Sequence, residues 1–199
     1  MLSFTQRLEL LEQDLKSDPP AFTMSVDLPF AIFRYDPSHP EEKEWAVRRE
    51  IQLLATRIQK TTGKTVTTLP LSQLYWQSIE ESEGISEIIE LERARGFLMA
   101  EGQVSSYLSD PDWRPLTDLL IEYVEAFRDD RDILFLTRAG VFAPSSYRIS
   151  SLLEQLMGRV RIPAVLFYPG TWRESLNYLG LRSENEALGS YRVKIYGRE

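Results

Sequence analysis

The sequence predicts an α/β chain: a mostly parallel, twisted sheet of about five strands flanked by helices, in Rossmann-like or P-loop-like layers, with a helical insertion. Three observations predict it. The runs DILFLT (132–137) and PAVLFYPG (163–170) are almost continuously apolar, as strands covered on both faces are. A strand pattern, a long helix pattern and a second strand pattern follow one another between residues 29 and 69, the order of a crossover unit. From 70 to 130 only helical periodicity appears, and no Gly- or Pro-rich linker sets it apart. It therefore reads as an insertion within a single domain spanning 1–199.

The elements follow in order. Phe4, Leu8, Leu11 and Leu15 recur at helical spacing, so residues 1–20 open with an amphipathic helix that ends before Pro19-Pro20 and packs on the body or serves a partner. PFAIFRYDP (29–37) is a strand bounded by prolines. In EEKEWAVRREIQLLATRIQKTTG, Val47, Ile51, Leu54 and Ile58 share one helix face, with Glu41, Glu42 and Glu44 in the first turn and Gly63 as the stop. TVTTL (65–69) is β-branched and short, a strand. LSQLYWQSIEES and ISEIIELERAR are helices stopped by Gly84 and Gly96, and FLMAEGQVSSYL is a weaker helix or two short turns. WRPLTDLLIEYVEAFRDD places Leu116, Leu119, Leu120, Tyr123, Val124 and Phe127 on a buried stripe. After the strand at 132–137, SSYRISSLLEQLMG is a helix with Ser145 or Ser146 as N-cap. After the strand at 163–170, WRESLNYLGL is a short helix, and YRVKIYG (191–197) alternates as an edge strand.

Composition narrows the chemistry. The 199 residues include no cysteine and one histidine, which excludes thiolate catalysis, sulfur-ligated zinc and multi-histidine metal sites. His39 lies between prolines in DPSHPEE, a surface-loop context. The net charge of −7 argues against the chain alone gripping a duplex, because that affinity rests on cations meeting phosphates. No apolar run approaches a membrane span, and the N-terminus mixes acids and bases rather than forming a secretory signal, so a cytoplasmic location is expected.

One motif invites a nucleotide reading. KTTGKTV (60–66) contains Gly-Lys-Thr, the end of a phosphate-binding loop. The motif needs an earlier glycine where Ile58 stands, and it needs a strand before and a helix after. Here a helix precedes and a strand follows, so the helix N-terminus that would hold phosphate is absent. Gly63 is instead a helix C-cap. Neither Gly140 nor Gly170 belongs to a G-x-G-x-x-G fingerprint. The acids at Asp129-Asp130 and Glu80-Glu81 read as solvated helix ends. Ser145-Ser146 lacks a histidine base. No catalytic constellation and no cofactor or metal site emerges, and the chain is expected not to be an enzyme.

Ligands of parallel sheets collect at the carboxyl ends of strands. Three such ends carry polar or aromatic residues: Tyr35-Asp36, Thr137-Arg138-Ala139-Gly140, and Tyr168 through Arg173. A partner-binding surface drawn from Arg138, Tyr147, Arg148, Gly170, Trp172 and Arg173 fits the residue types of interface hot spots. Ordinary loop chemistry is the simpler reading of the same residues on sequence alone.

Taken together, LPFAIFRYDP…EWAVRREIQLLATRI, DILFLTRAGVFAPSSYRISSLLEQL and PAVLFYPGTW…SLNYLGL…YRVKIY resemble the BrxB family of BREX phage-defence systems. Phe30–Tyr35, Phe135–Gly140, Arg148–Leu153 and Phe167–Gly170 occupy the positions of the family motifs, with Arg138 standing where the family pattern has glycine. The resemblance implies a non-catalytic accessory or assembly subunit of a BREX-type anti-phage complex. It implies that the chain binds a PglZ-like protein of the alkaline-phosphatase superfamily and works beside a large ATPase and a DNA methyltransferase, without binding membrane or touching DNA by itself. The alternative left by the residues alone is a degenerate nucleotide-binding sensor that uses the strand-end loops.

Overall fold

The computed structural model describes residues 2–23, 29–143, 145–172, 176–178 and 193–197. The chain is mixed α/β with a mostly parallel sheet, as its sequence predicts. It divides into two compact units, one from Met1–Leu69, Phe127–Arg138 and Arg161–Glu199, the other from Pro70–Ala126 and Ala139–Val160.

The first unit holds the sheet. Its strands are β1 (Phe30–Tyr35), β2 (Thr65–Pro70), β3 (Asp132–Thr137), β4 (Ala164–Trp172), β5 (Leu176–Tyr178) and β6 (Lys194–Tyr196). The order is β2-β3-β4-β1-β6, with β5 paired to β4. β1 runs parallel to both β4 and β6, and β3 runs parallel to β4, with Ile32 and Leu136 both opposite Leu166. β1 and β2 are therefore not neighbours, because β4 and β3 intervene. The three central strands are buried almost throughout, which is why they read as unbroken apolar runs.

Two helices belong to this unit, α1 (Phe4–Lys16) and α2 (Glu44–Thr62). α1 starts at a capping box: the Ser3 hydroxyl accepts from the Gln6 N–H, and the Gln6 side chain accepts from the Ser3 N–H. Its Phe4, Leu8, Leu11 and Leu15 join Val47, Ile51, Leu54 and Ile58 of α2 over Phe33, Phe135 and Phe167 of the sheet. Each such side chain contributes about 1.5–3 kcal/mol by leaving water. α1 thus packs on the body. α2 ends at Gly63, whose left-handed backbone (φ 72°) turns its N–H back to the Gln59 carbonyl. That is the C-cap expected in place of a phosphate loop.

The second unit contains α3 (Leu71–Ser82), α4 (Ile85–Arg95), α5 (Phe97–Ser109), α6 (Leu116–Val124) and α7 (Ile149–Gln155). Arg114 binds Glu81 at 2.6 Å and Glu122 through both of its terminal nitrogens. The Ser78 hydroxyl donates to the Tyr107 carbonyl at 3.0 Å and ties α3 to α5.

Several elements depart from expectation. Residues 97–109 form one continuous helix, held by the buried stripe of Ala100, Val104, Tyr107 and Leu108. α6 stops at Val124, leaving Tyr123 and Phe127 half-buried rather than in the stripe. Glu41 and Glu42 lie in a separate 3-10 turn, Pro40–Glu42, and α2 begins only at Glu44. Neither Ser145 nor Ser146 caps α7, whose cap position is Arg148. The Ser145 hydroxyl donates to Phe142, and Ser146 is engaged by Glu101 and Ser105. The largest departure is the helix expected over 172–181. β4 instead continues to Trp172 and pairs antiparallel with β5, Gly170 opposite Tyr178 and Trp172 opposite Leu176. The ladder satisfies backbone groups that the ends of a short helix would leave open.

Candidate functional site

The carboxyl ends of β1 and β4 open into a cavity of about 610 Å³ whose walls include Arg7, Arg34, Asp36, His39, Glu42 and Trp172. Its chemistry begins with two cations inside the fold. Arg7 sits on the apolar stripe of α1 and is 3% exposed, while Arg34 interrupts the apolar run of β1 and is 7% exposed.

Each guanidinium has acceptors built for it. Arg7 donates from Nη2 to Glu42 and from Nη1 to the Arg34 carbonyl. Glu42 uses its other oxygen to accept from the Asp36 N–H at 2.7 Å. Arg34 donates from Nε to the Gly197 carbonyl at 2.7 Å and from Nη1 to the Gly170 carbonyl at 3.2 Å. One carboxylate, Glu42, therefore clamps α1 to the loop after β1. Arg34 in turn joins β1 to β4 and to the residue after β6.

The electrostatics follow from burial. Desolvation lowers the Arg7 pKa, the charge of Glu42 opposes that shift, and the charge of Arg34 adds to it. The Arg7 guanidinium also lies 5.4 Å from the Phe33 ring centroid and 5.8 Å from that of Phe4, within range of a cation–π contact. Its Nε has no acceptor among the described residues. Burial pushes the Asp36 carboxyl up, but the Ser38 hydroxyl and backbone N–H, with the Arg34 charge, leave it lowered. His39 is exposed and accepts from the Glu41 N–H at 3.3 Å. The polar groups are largely spent on one another, and they do not converge on a point where a reacting atom would sit. Among the described residues no group of three or more His, Asp or Glu side chains could hold a metal ion.

The expected site residues are placed as follows. Gly170 and Trp172 lie at this strand end, Gly170 as the acceptor for Arg34 and Trp172 in the cavity wall. Arg138 directly follows β3 in the sheet unit, exposed. Tyr147 and Arg148 belong to the helical unit. The Tyr147 ring is buried against Phe142, whereas Arg148 is exposed at the start of α7. Burial raises the Tyr147 pKa, and its hydroxyl has no partner among the described residues. Arg173 lies outside the described residues. Sequence reasoning passed over Arg7, Arg34 and Glu42. A cation on an apolar helix stripe and another inside an apolar strand were the available signals, since such groups need a buried acceptor.

Arg138 also has a left-handed backbone (φ 55°), the one described non-glycine residue with positive φ. That conformation costs an L-residue about 1–2 kcal/mol. Arg138→Gly is therefore expected to stabilise the protein by about 0.5–1 kcal/mol after the entropy of glycine is counted. Denaturant midpoints measure this. A loss of stability would mean that the guanidinium makes a compensating contact.

Comparison with known proteins was decided by a family model. The model described as "BrxB: BREX protein BrxB" matches residues 67–194. The chain belongs to the BrxB family. A curated relative, "BREX protein BrxB" of Bacillus cereus (strain H3081.97), is 26% identical over 149 residues, covering 73% of this chain and 72% of that protein. No solved structure matches significantly. The matched span takes in β3, β4 and β5 and ends at Lys194, the first residue of β6, but Arg7, Arg34 and Glu42 precede it. Membership supports a part in the BREX phage-defence system and implies other BREX subunits as partners. No helix among the described residues is long and apolar enough to cross a membrane.

Proposed function

We propose that the chain is a non-catalytic accessory subunit that helps assemble a BREX anti-phage complex by binding a PglZ-like protein of the alkaline-phosphatase superfamily. In this reading it works in the cytoplasm beside the system's large ATPase and DNA methyltransferase, and it does not bind DNA alone. The observation that carries the reading is BrxB membership over residues 67–194. The site geometry supports it. Arg7, Arg34 and Glu42 hold α1, β1, β4 and the segment after β6 in register, a structural use of charge rather than a catalytic one.

The docking residues we assign are drawn from the strand-end and loop positions. Arg138 and Arg148 are exposed and have no ion pair among the described residues, and Trp172 edges the strand-end cavity. Arg and Trp are the residue types that most often dominate interface energetics. Co-expression of the chain with the PglZ-like protein of its own operon tests the reading. A heteromer that survives size exclusion is expected. Arg138→Glu with Arg148→Glu is expected to weaken it at least tenfold. Separate elution of the two wild-type proteins would count against the proposal. The nucleotide-sensing alternative draws on the same cavity, but both buried guanidiniums already serve protein acceptors, which leaves it less chemistry to use.

A further inference from the structure

α4 packs on α5 but buries little of its own surface. Of its eleven residues only Ile88 is buried, and Ile89 is 41% exposed. Immediately after it, the first turn of α5 exposes Phe97 (56%), Leu98 (79%) and Met99 (50%). An isolated helix of this length is marginal in water, and an uncovered apolar stripe of this kind marks a contact surface.

The charges on α4 indicate what covers it. Ser86, Ile89, Glu90 and Arg93 recur at i, i+3, i+4 and i+7 and form one outer seam. Acids occupy its first two turns (Glu87, Glu90, Glu92) and bases its last (Arg93, Arg95). Glu90, Arg93 and Arg95 have no ion pair among the described residues. A parallel copy of this helix would set acid on acid. An antiparallel copy sets acid on base at both ends and opposes the two helix dipoles.

We propose that α4 is a self-association surface on which a second copy of this chain docks antiparallel across a two-fold axis. Glu90 of each copy faces Arg93 of the other, and the Arg93 stem covers Ile89 of the second copy. Leu98 reaches past the corner toward Ile85 of the second copy. Such a contact repeats itself by symmetry and closes at two chains. A helix of about 16 Å buries an area at the low end of specific interfaces, below about 1,200 Å², so the dimer dissociates on dilution.

Sedimentation velocity of the full chain over a concentration series tests this directly. The wild type is expected to shift from monomer to dimer as concentration rises, and less so at high salt. Glu90→Arg alone and Arg93→Glu alone are each expected to weaken the dimer at least tenfold. The double variant Glu90→Arg/Arg93→Glu restores it, and so does an equimolar mixture of the two single variants, in which every pair is again opposite in sign. A monomer at all concentrations overturns the proposal. So does a dimer that both single reversals leave intact, or a double variant that stays monomeric. Should circular dichroism show that a reversal has lost helix, Glu90→Gln and Arg93→Gln, which keep side-chain length, take its place with the same expectations of weakening.

Discussion

Replacing Glu42 with alanine is expected to lower the stability of the protein by about 3–5 kcal/mol, the loss typical of breaking a buried ion pair from one side. The reason is the state in which Arg7 is left. Arg7 is 3% exposed, its charged form is already disfavoured by burial, and Glu42 is the carboxylate that offsets this. The Glu42→Ala variant keeps the cation and removes the counter-charge. It also leaves the Asp36 N–H without its acceptor. At about 2–4 °C per kcal/mol for a chain of this size, the thermal midpoint falls on the order of 10 °C. The double variant Arg7→Met/Glu42→Leu removes both charges and is expected to recover most of the loss. Urea unfolding followed by tryptophan fluorescence measures both. A loss below about 1 kcal/mol for Glu42→Ala would mean that water reaches Arg7 freely.

The second large effect is expected at Gly170. A Cβ there would lie 2.4 Å from the Asn177 carbonyl oxygen and 2.9 Å from the Tyr168 ring. The oxygen belongs to the backbone of the paired strand, so it cannot swing aside as a side chain would. Gly170→Val must therefore push β5 from β4, at a cost of about 1–3 kcal/mol or more. It also displaces the Gly170 carbonyl that accepts from Arg34, loosening the tie between β1 and β4. Gly102 is the control. It lies in α5 with nothing within 4 Å of an added Cβ. Gly102→Ala is expected to stabilise the protein by about 0.5–1 kcal/mol. If both variants moved the unfolding midpoint in the same direction, the close approach of β4 and β5 would not be what Gly170 provides.

The layers of the fold were legible because burial writes itself into the chain. A strand covered on both sides must be apolar almost throughout, as Ile133–Leu136 in β3 and Ala164–Tyr168 in β4 are. A helix with one buried face must repeat its apolar residues, as α1 and α2 do. The antiparallel pairing of β4 with β5 was not legible. Its strands are held by backbone pairing made possible by a missing side chain at Gly170, and a missing side chain leaves no periodic signal.

The candidate site divides in the same way. Gly170 and Trp172 were found because strand ends are general ligand positions. Arg7 and Glu42 come from sequence positions 35 residues apart, and only the docking of α1 brings them together. Read locally, Glu42 is an ordinary acid before a helix. Only the cation facing it shows that it is an acceptor inside the fold.

The most direct test of the assembly role is purification of the tagged chain expressed from its native operon, with mass analysis of whatever remains bound after a salt wash. The account predicts a PglZ-like protein in stoichiometric amount. Recovery of the chain alone, with that protein present in the same lysate, would contradict it.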